Sequence, residues 1–289
     1  MAFNRNLLGM RRTRLFIDLV ARMLWIAAFA AALGWSAAQP AVAIKPADPW
    51  PDLARDIFKG RELADGVGLI AIDMPYRAED AAIVPVTLRV TLPAEDARTV
   101  RAITLVIGQN PAPVAATFQI GTKVTMISTR VRIDSYTNVH AVAELSDGKL
   151  YVATTFVKAS GGCSAPAAKN PEEAKARIGQ MRYRQFARPG EGPTSGVRES
   201  QVMIGHPNNS GLQMDQLTQL YIPAFFIDQL KLSQDDSPVL MVEGGISISE
   251  DPNIRLTYVS NGAKHFRAEA RDTQGHVFQH EWDVDQSGM

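Results

Sequence analysis

Cys163 is the only cysteine in this sequence of 289 residues. It stands in the run Lys158-Ala159-Ser160-Gly161-Gly162-Cys163-Ser164-Ala165-Pro166. A thiolate attacks sulfur, forms mixed disulfides and can carry a sulfur group that a second thiol later removes. Gly161 and Gly162 put no side chain beside the sulfur and leave the backbone free to bend. The run has the composition of a loop, so it reads as an exposed, flexible arm presenting a nucleophile. The competing reading is burial, because free cysteine often behaves as a small hydrophobe. An unperturbed thiol is only about 3% ionised at pH 7. Lys158 and Lys169 are the cations whose proximity would raise that fraction. Extended from Val157, the arm would reach roughly 20 Å.

No other grouping completes a catalytic set. His276 and His280 have a spacing that binds metal on a helix, but they follow Gln274-Gly275 in a strand-like run. There they would lie roughly 13 Å apart, too far for one ion. His206, beside Pro207 and Asn208-Asn209, is loop-like and placed to touch a partner or the arm. Asp235-Asp236 reads as a solvated turn. The sequence has no Gly-x-Ser-x-Gly, no phosphate-cradling glycine loop and no local signature of a cysteine protease. It gives no full catalytic set and calls for no metal and no cofactor.

The elements that must position the thiol are mostly strands. Residues 1–43 read as an export signal: Arg5, Arg11, Arg12, Arg14 and Arg22, then the apolar run Met23 to Leu33, then Ala41-Val42-Ala43 as a cleavage site. The apolar run is shorter than the ~20 residues of a membrane span, which favours cleavage after Ala43 over an uncleaved anchor. Arg11-Arg12 loosely resembles a twin-arginine signal. The whole chain is formally neutral, so loss of this basic segment leaves a mildly acidic protein with no basic run, which argues against nucleic acid. With one cysteine an exported chain forms no internal disulfide.

Asp52 to Leu63 has the pattern of a short helix. Beyond it Val84, Val86, Leu88, Val90 and Leu92 alternate with polar residues and proline, and Val131 and Ile133 alternate with Arg130 and Arg132 on the polar side. Asp147-Gly148 is a hairpin signal. Small residues at 159–170 are followed by a helix signal from Asn170 and Pro171 to about Phe186, closed by Pro189, Gly190, Gly192 and Pro193. A second β region starts near Val197, with strand character at Ile222–Leu232 and Val239–Ser249. Asn261-Gly262 and Gln274-Gly275 supply further hairpin turns. The expected fold is all-β: two sandwiches joined by a linker with one helix.

These residues also resemble a known pair of domains. Leu69 to Leu88, and Val139 to Val157 with Glu144-Leu145-Ser146-Asp147-Gly148, resemble the SoxY domain. Lys158 to Cys163 resembles the run into that domain's Gly-Gly-Cys-Gly-Gly arm. His206-Pro207, Gly211-Leu212, Ile222-Pro223-Ala224-Phe225-Phe226-Ile227 and the stretch Asn253 to Trp282 resemble the SoxZ domain. The whole is similar to fused SoxYZ-like carriers, a group associated with quinoprotein dehydrogenases. The resemblance implies immunoglobulin-like sandwiches at 44–160 and 196–289, with the arm and linker helix at 161–195 between them. It further implies a periplasmic carrier that holds sulfur intermediates of thiosulfate oxidation on Cys163. Its partners would be sulfur-oxidation enzymes or c-type cytochromes. An accessory module of a quinoprotein alcohol dehydrogenase, or an adhesion-type sandwich, are the alternatives. The chain departs from the family pattern in two ways: Ser164-Ala165-Pro166 follow the cysteine, and the arm continues into a second domain instead of ending.

Overall fold

A computed structural model describes residues 48–93, 95–166, 171–186 and 196–284. The export signal, Lys169 and Asn170 lie outside the described residues. Alternation produces the strands it predicts. In β3 (Val84–Val90), Val84, Val86 and Leu88 are buried while Pro85 and Arg89 face solvent. The first half of the chain also holds a short helix α1 (Trp50–Ile57) and strands β1 (Leu63–Asp65), β2 (Ile70–Asp73), β4 (Val100–Ile107), β5 (Val114–Ile120), β6 (Val124–Val131), β7 (Thr137–Leu145) and β8 (Leu150–Val157). The second half holds α2 (Pro171–Ala176), β9 (Met181–Phe186), β10 (Val197–Ile204), β11 (Ile227–Gln234), β12 (Ser237–Gly244), β13 (Asn253–Val259), β14 (His265–Asp272) and β15 (Val277–Asp283).

Both halves are immunoglobulin-like sandwiches, and both sheets run through both halves. One sheet has the order β1-β8-β7-β4-β5-β12-β11-β14-β15 and the other β2-β3-β6-β13-β10-β9. The seam is made by β5 against β12, with Ile120 opposite Leu240, and by β6 against β13, with Ser128 opposite Arg255. A single apolar cluster passes through the seam, from Phe118, Ile127 and Val131 to Val242, Ile248 and Leu256. No helix among the described residues is long and apolar enough to cross a membrane.

Four expectations from the sequence are corrected. The helix expected from residue 170 to 186 is only α2, stopped before Gly179 at a φ of +77°. Met181 to Phe186 then pairs with β10 as a strand, its Met-Arg-Tyr-Arg alternation serving two faces of a sheet. Asn261-Gly262 does not close a hairpin, because β13 and β14 lie in different sheets and the turn carries the chain across the sandwich. Ile222 to Phe226 is loop, and β11 begins at Ile227. The turns at Asp147-Gly148 and Gln274-Gly275 do join paired strands. Helix α1 is shorter than expected, since Lys59 and Gly60 adopt positive φ and end it. Its Leu53 and Ile57 cover Val106, Val142 and Leu150, and Trp50 stacks on His140 at 3.7 Å between ring centres.

Candidate functional site

The chain leaving β8 is anchored before it becomes an arm. Lys158 donates its amide to the Tyr76 carbonyl and accepts from Ala78, and Ala159 is buried. The Gly161 amide donates to the Asp134 carbonyl at 2.8 Å and the Gly162 amide to the Ile133 carbonyl at 2.9 Å. From the other half, the Ser210 hydroxyl donates to the Cys163 carbonyl. Three walls thus hold the segment: the loop around Ala81, the extension of β6 through residues 132–134, and the loop that begins at His206.

Cys163 is completely buried in this slot, so the expected exposed thiol is corrected to a docked one. The two glycines have different roles from the loose joint read in the sequence. Gly161 has a φ of +76°, a left-handed conformation that a side chain opposes. At Gly162 a Cβ would stand 2.0 Å from the Ala81 carbonyl oxygen and 2.7 Å from that of Ile133. Both obstacles are backbone, so only glycine lets the arm lie this close. Ser164 is exposed just beyond, and its hydroxyl bonds back to the Gly161 carbonyl. The chain therefore turns outward one residue past the sulfur.

Burial pushes the Cys163 thiol up to about 11; the Asp134 carboxylate adds to that shift and Arg132 opposes it. The docked sulfur is thus a protonated, poor nucleophile at neutral pH. Lys158 extends its ammonium over the Tyr76 ring at 4.8 Å, and Lys169 lies outside the described residues. The cation that bears on the sulfur is Arg132, which is 2% exposed. Its backbone is fixed by the Ser247 carbonyl, which accepts its amide, and by Asn110, whose Nδ2 donates to its carbonyl at 2.7 Å. Its Nη2 donates to the Asn208 carbonyl at 3.0 Å.

Sequence reasoning missed Arg132 because alternation with Val131 and Ile133 put it beside Arg130 on a polar face. Asn208, far along the chain, holds the Arg132 guanidinium, and no local pattern signals such cover. His206 is buried beside Asn208, in the loop whose Asn208 and Ser210 hold Arg132 and the Cys163 carbonyl. Its Nδ1 pairs with Asn208, its ring packs on Phe225 and burial lowers its pKa, leaving it neutral. His276, just before β15, bonds to Asp272, and His280 within β15 packs on Trp282; neither meets the thiol.

Comparison with known proteins adds family relationships. Residues 54–163 match the sulfur oxidation protein SoxY family, a match that ends on Cys163, and residues 187–283 match the sulphur oxidation protein SoxZ family. No curated protein matches the chain. Among solved structures it is similar to the sulfur carrier protein SoxY from Chlorobium limicola f thiosulfatophilum, with 26% identity, 37% of this chain and 89% of that one covered, and a TM-score of 0.31. It is also similar to a superoxide reductase (neelaredoxin) from Ignicoccus hospitalis, with 19% identity, 31% and 79% coverage, and a TM-score of 0.26.

Proposed function

The chain joins a SoxY domain to a SoxZ domain in one polypeptide, and on that premise we propose that it is a non-catalytic carrier of covalently bound sulfur, with Cys163 as the carrier residue. The observation that carries this reading is the docking of the sole thiol. It sits on a segment held by few hydrogen bonds in a slot made by both domains. Each such bond contributes about 1 kcal/mol, so the docked state outweighs an open one by a ratio on the order of a hundred. Docked, the sulfur is shielded and protonated; open, it regains an ordinary pKa and can react. Because Ala159 is anchored, the free reach to Cys163 is about four residues, or roughly 13 Å, shorter than the sequence alone suggested. Partner enzymes of sulfur oxidation would meet the open arm as a loop and not as a chain end.

Residues 1–43 support export to the periplasm, where N-terminal sequencing should find Ile44 first. The carrier role is tested by intact mass on protein isolated from its native source without reductant. A sulfur-containing increment on Cys163 supports the carrier. A bare thiol on protein that co-purifies with a quinoprotein dehydrogenase supports the accessory module instead.

A further inference from the structure

Arg132 is a buried cation without an ion pair among the described residues. Among the described residues no carboxylate lies within 4.0 Å of its guanidinium, the Nη2 bond goes to a neutral carbonyl, and Nε has no hydrogen-bond partner at all. Asp80 and Glu250 act on it only at longer range. Enclosing a guanidinium this way is unfavourable by several kcal/mol unless an anion completes it. Cys163 acts on it as well, with an effect between those of Glu250 and Asp80. The arm's own amides bond to Ile133 and Asp134, immediately after Arg132, and Asn208 and Ser210 of one loop hold Arg132 and Cys163 respectively.

We infer that Arg132 is the counter-ion for an anionic sulfur-oxyanion group carried on Cys163, and that the docked arm thereby retains anionic adducts in preference to neutral ones. The inference rests on the carrier reading and adds to it a residue and a charge selectivity. A terminal sulfonate offers two oxygens to the free Nε–H and a neighbouring Nη–H of one guanidinium, a planar match that an ammonium lacks. The Asn208 carbonyl, by holding Nη2, fixes the plane in which that edge is presented. The resting thiol, neutral and docked, leaves the edge unfilled; a loaded sulfonate fills it.

The test uses the full chain loaded in two ways. With tetrathionate, the Cys163 thiolate attacks an inner sulfur, forming Cys163–S–S–SO3⁻ and releasing thiosulfate, while the thiol proton goes to buffer. With methyl methanethiosulfonate the same attack gives the neutral methyl disulfide and releases methanesulfinate. Release of each group by dithiothreitol at pH 7 is followed by intact mass, in the wild type and in Arg132→Gln and Arg132→Lys. The wild type should hold the anionic group about tenfold or more longer than Arg132→Gln, the difference a charge-assisted hydrogen bond makes. Arg132→Lys should fall between them, and the methyl disulfide should be released at equal rates in all three. Should the variants fold poorly, the wild type suffices: the lifetime of its anionic adduct relative to the neutral one should collapse in urea. Equal lifetimes for both adducts in the folded wild type, or a change in both alike on substitution, overturns the role of Arg132 and leaves the carrier standing. Failure of Cys163 to accept either group overturns the carrier reading and this inference with it.

Discussion

The pKa of the Cys163 thiol couples its protonation to docking. Burial raises it to about 11 from an ordinary 9.0, so the docked arm holds the proton more tightly than an open one. Docking is therefore fully favoured below pH 9 and weakens as the pH climbs from 9 through 11. Alkylation by iodoacetamide should be roughly a hundredfold slower than for a small thiol at pH 7, from the docked fraction. It should still be accelerating above pH 9, where a free thiol levels off. A rate equal to that of glutathione at pH 7, with a plateau by pH 9.5, would show that the arm is open in solution. Gly162→Ala probes the same equilibrium sterically. Its Cβ would meet two backbone carbonyl oxygens that cannot swing aside. The variant should lose about 2 kcal/mol of stability in urea melts, and its thiol should alkylate at close to the small-thiol rate. Unchanged protection in Gly162→Ala would mean that the slot is looser than the contacts say.

Elements build the slot through their ends and loops. Asn110, at the turn between β4 and β5, donates Nδ2 to the Arg132 carbonyl and the Ser247 hydroxyl, and its Oδ1 accepts the Asp134 amide. It is buried, so Asn110→Ala leaves polar groups unsatisfied and should lower stability by about 2–3 kcal/mol. Alkylation of Cys163 should rise in parallel, since the arm's own partners at Ile133 and Asp134 hang from this junction. A stability loss without added thiol reactivity would separate Asn110 from the slot. The strands themselves were legible from alternation, as β3 illustrates, and so were the turns at Gly148 and Gly275. The crossover at Gly262 was not, because Asn-Gly has the same turn chemistry whether the next strand pairs within the sheet or leaves it. The arm was found by its glycines, yet their reason was hidden. Close approach to Ala81 and Ile133 is a tertiary fact, and composition shows only that a side chain is missing. The same holds for Arg132, whose guanidinium is held by Asn208 from far along the chain.

At the scale of the molecule, continuity of the two sheets makes the covalent link secondary. Separating the halves would expose the edges of β5, β6, β12 and β13 and open the apolar cluster that spans the seam. Unpaired edges of that kind invite aggregation, so the halves should stay together after the chain is cut. The segment 187–195, with Pro189, Gly190, Gly192 and Pro193, is a suitable place for an engineered protease site. The cut protein should elute as an undivided species on size exclusion and separate into fragments only in denaturant. Its Cys163 should stay as protected as before, because Ser210 and Asn208 still roof the slot from the second half. A second site placed at 167–170 makes a sharper comparison. Cutting there frees the downstream end of the arm and removes the restraint of closing a loop. Thiol reactivity should then rise while the elution volume stays the same. Fragments that part in native buffer after the 187–195 cut would show that the seam is too weak to hold the domains. Protection of Cys163 would then have to come from the SoxY half alone.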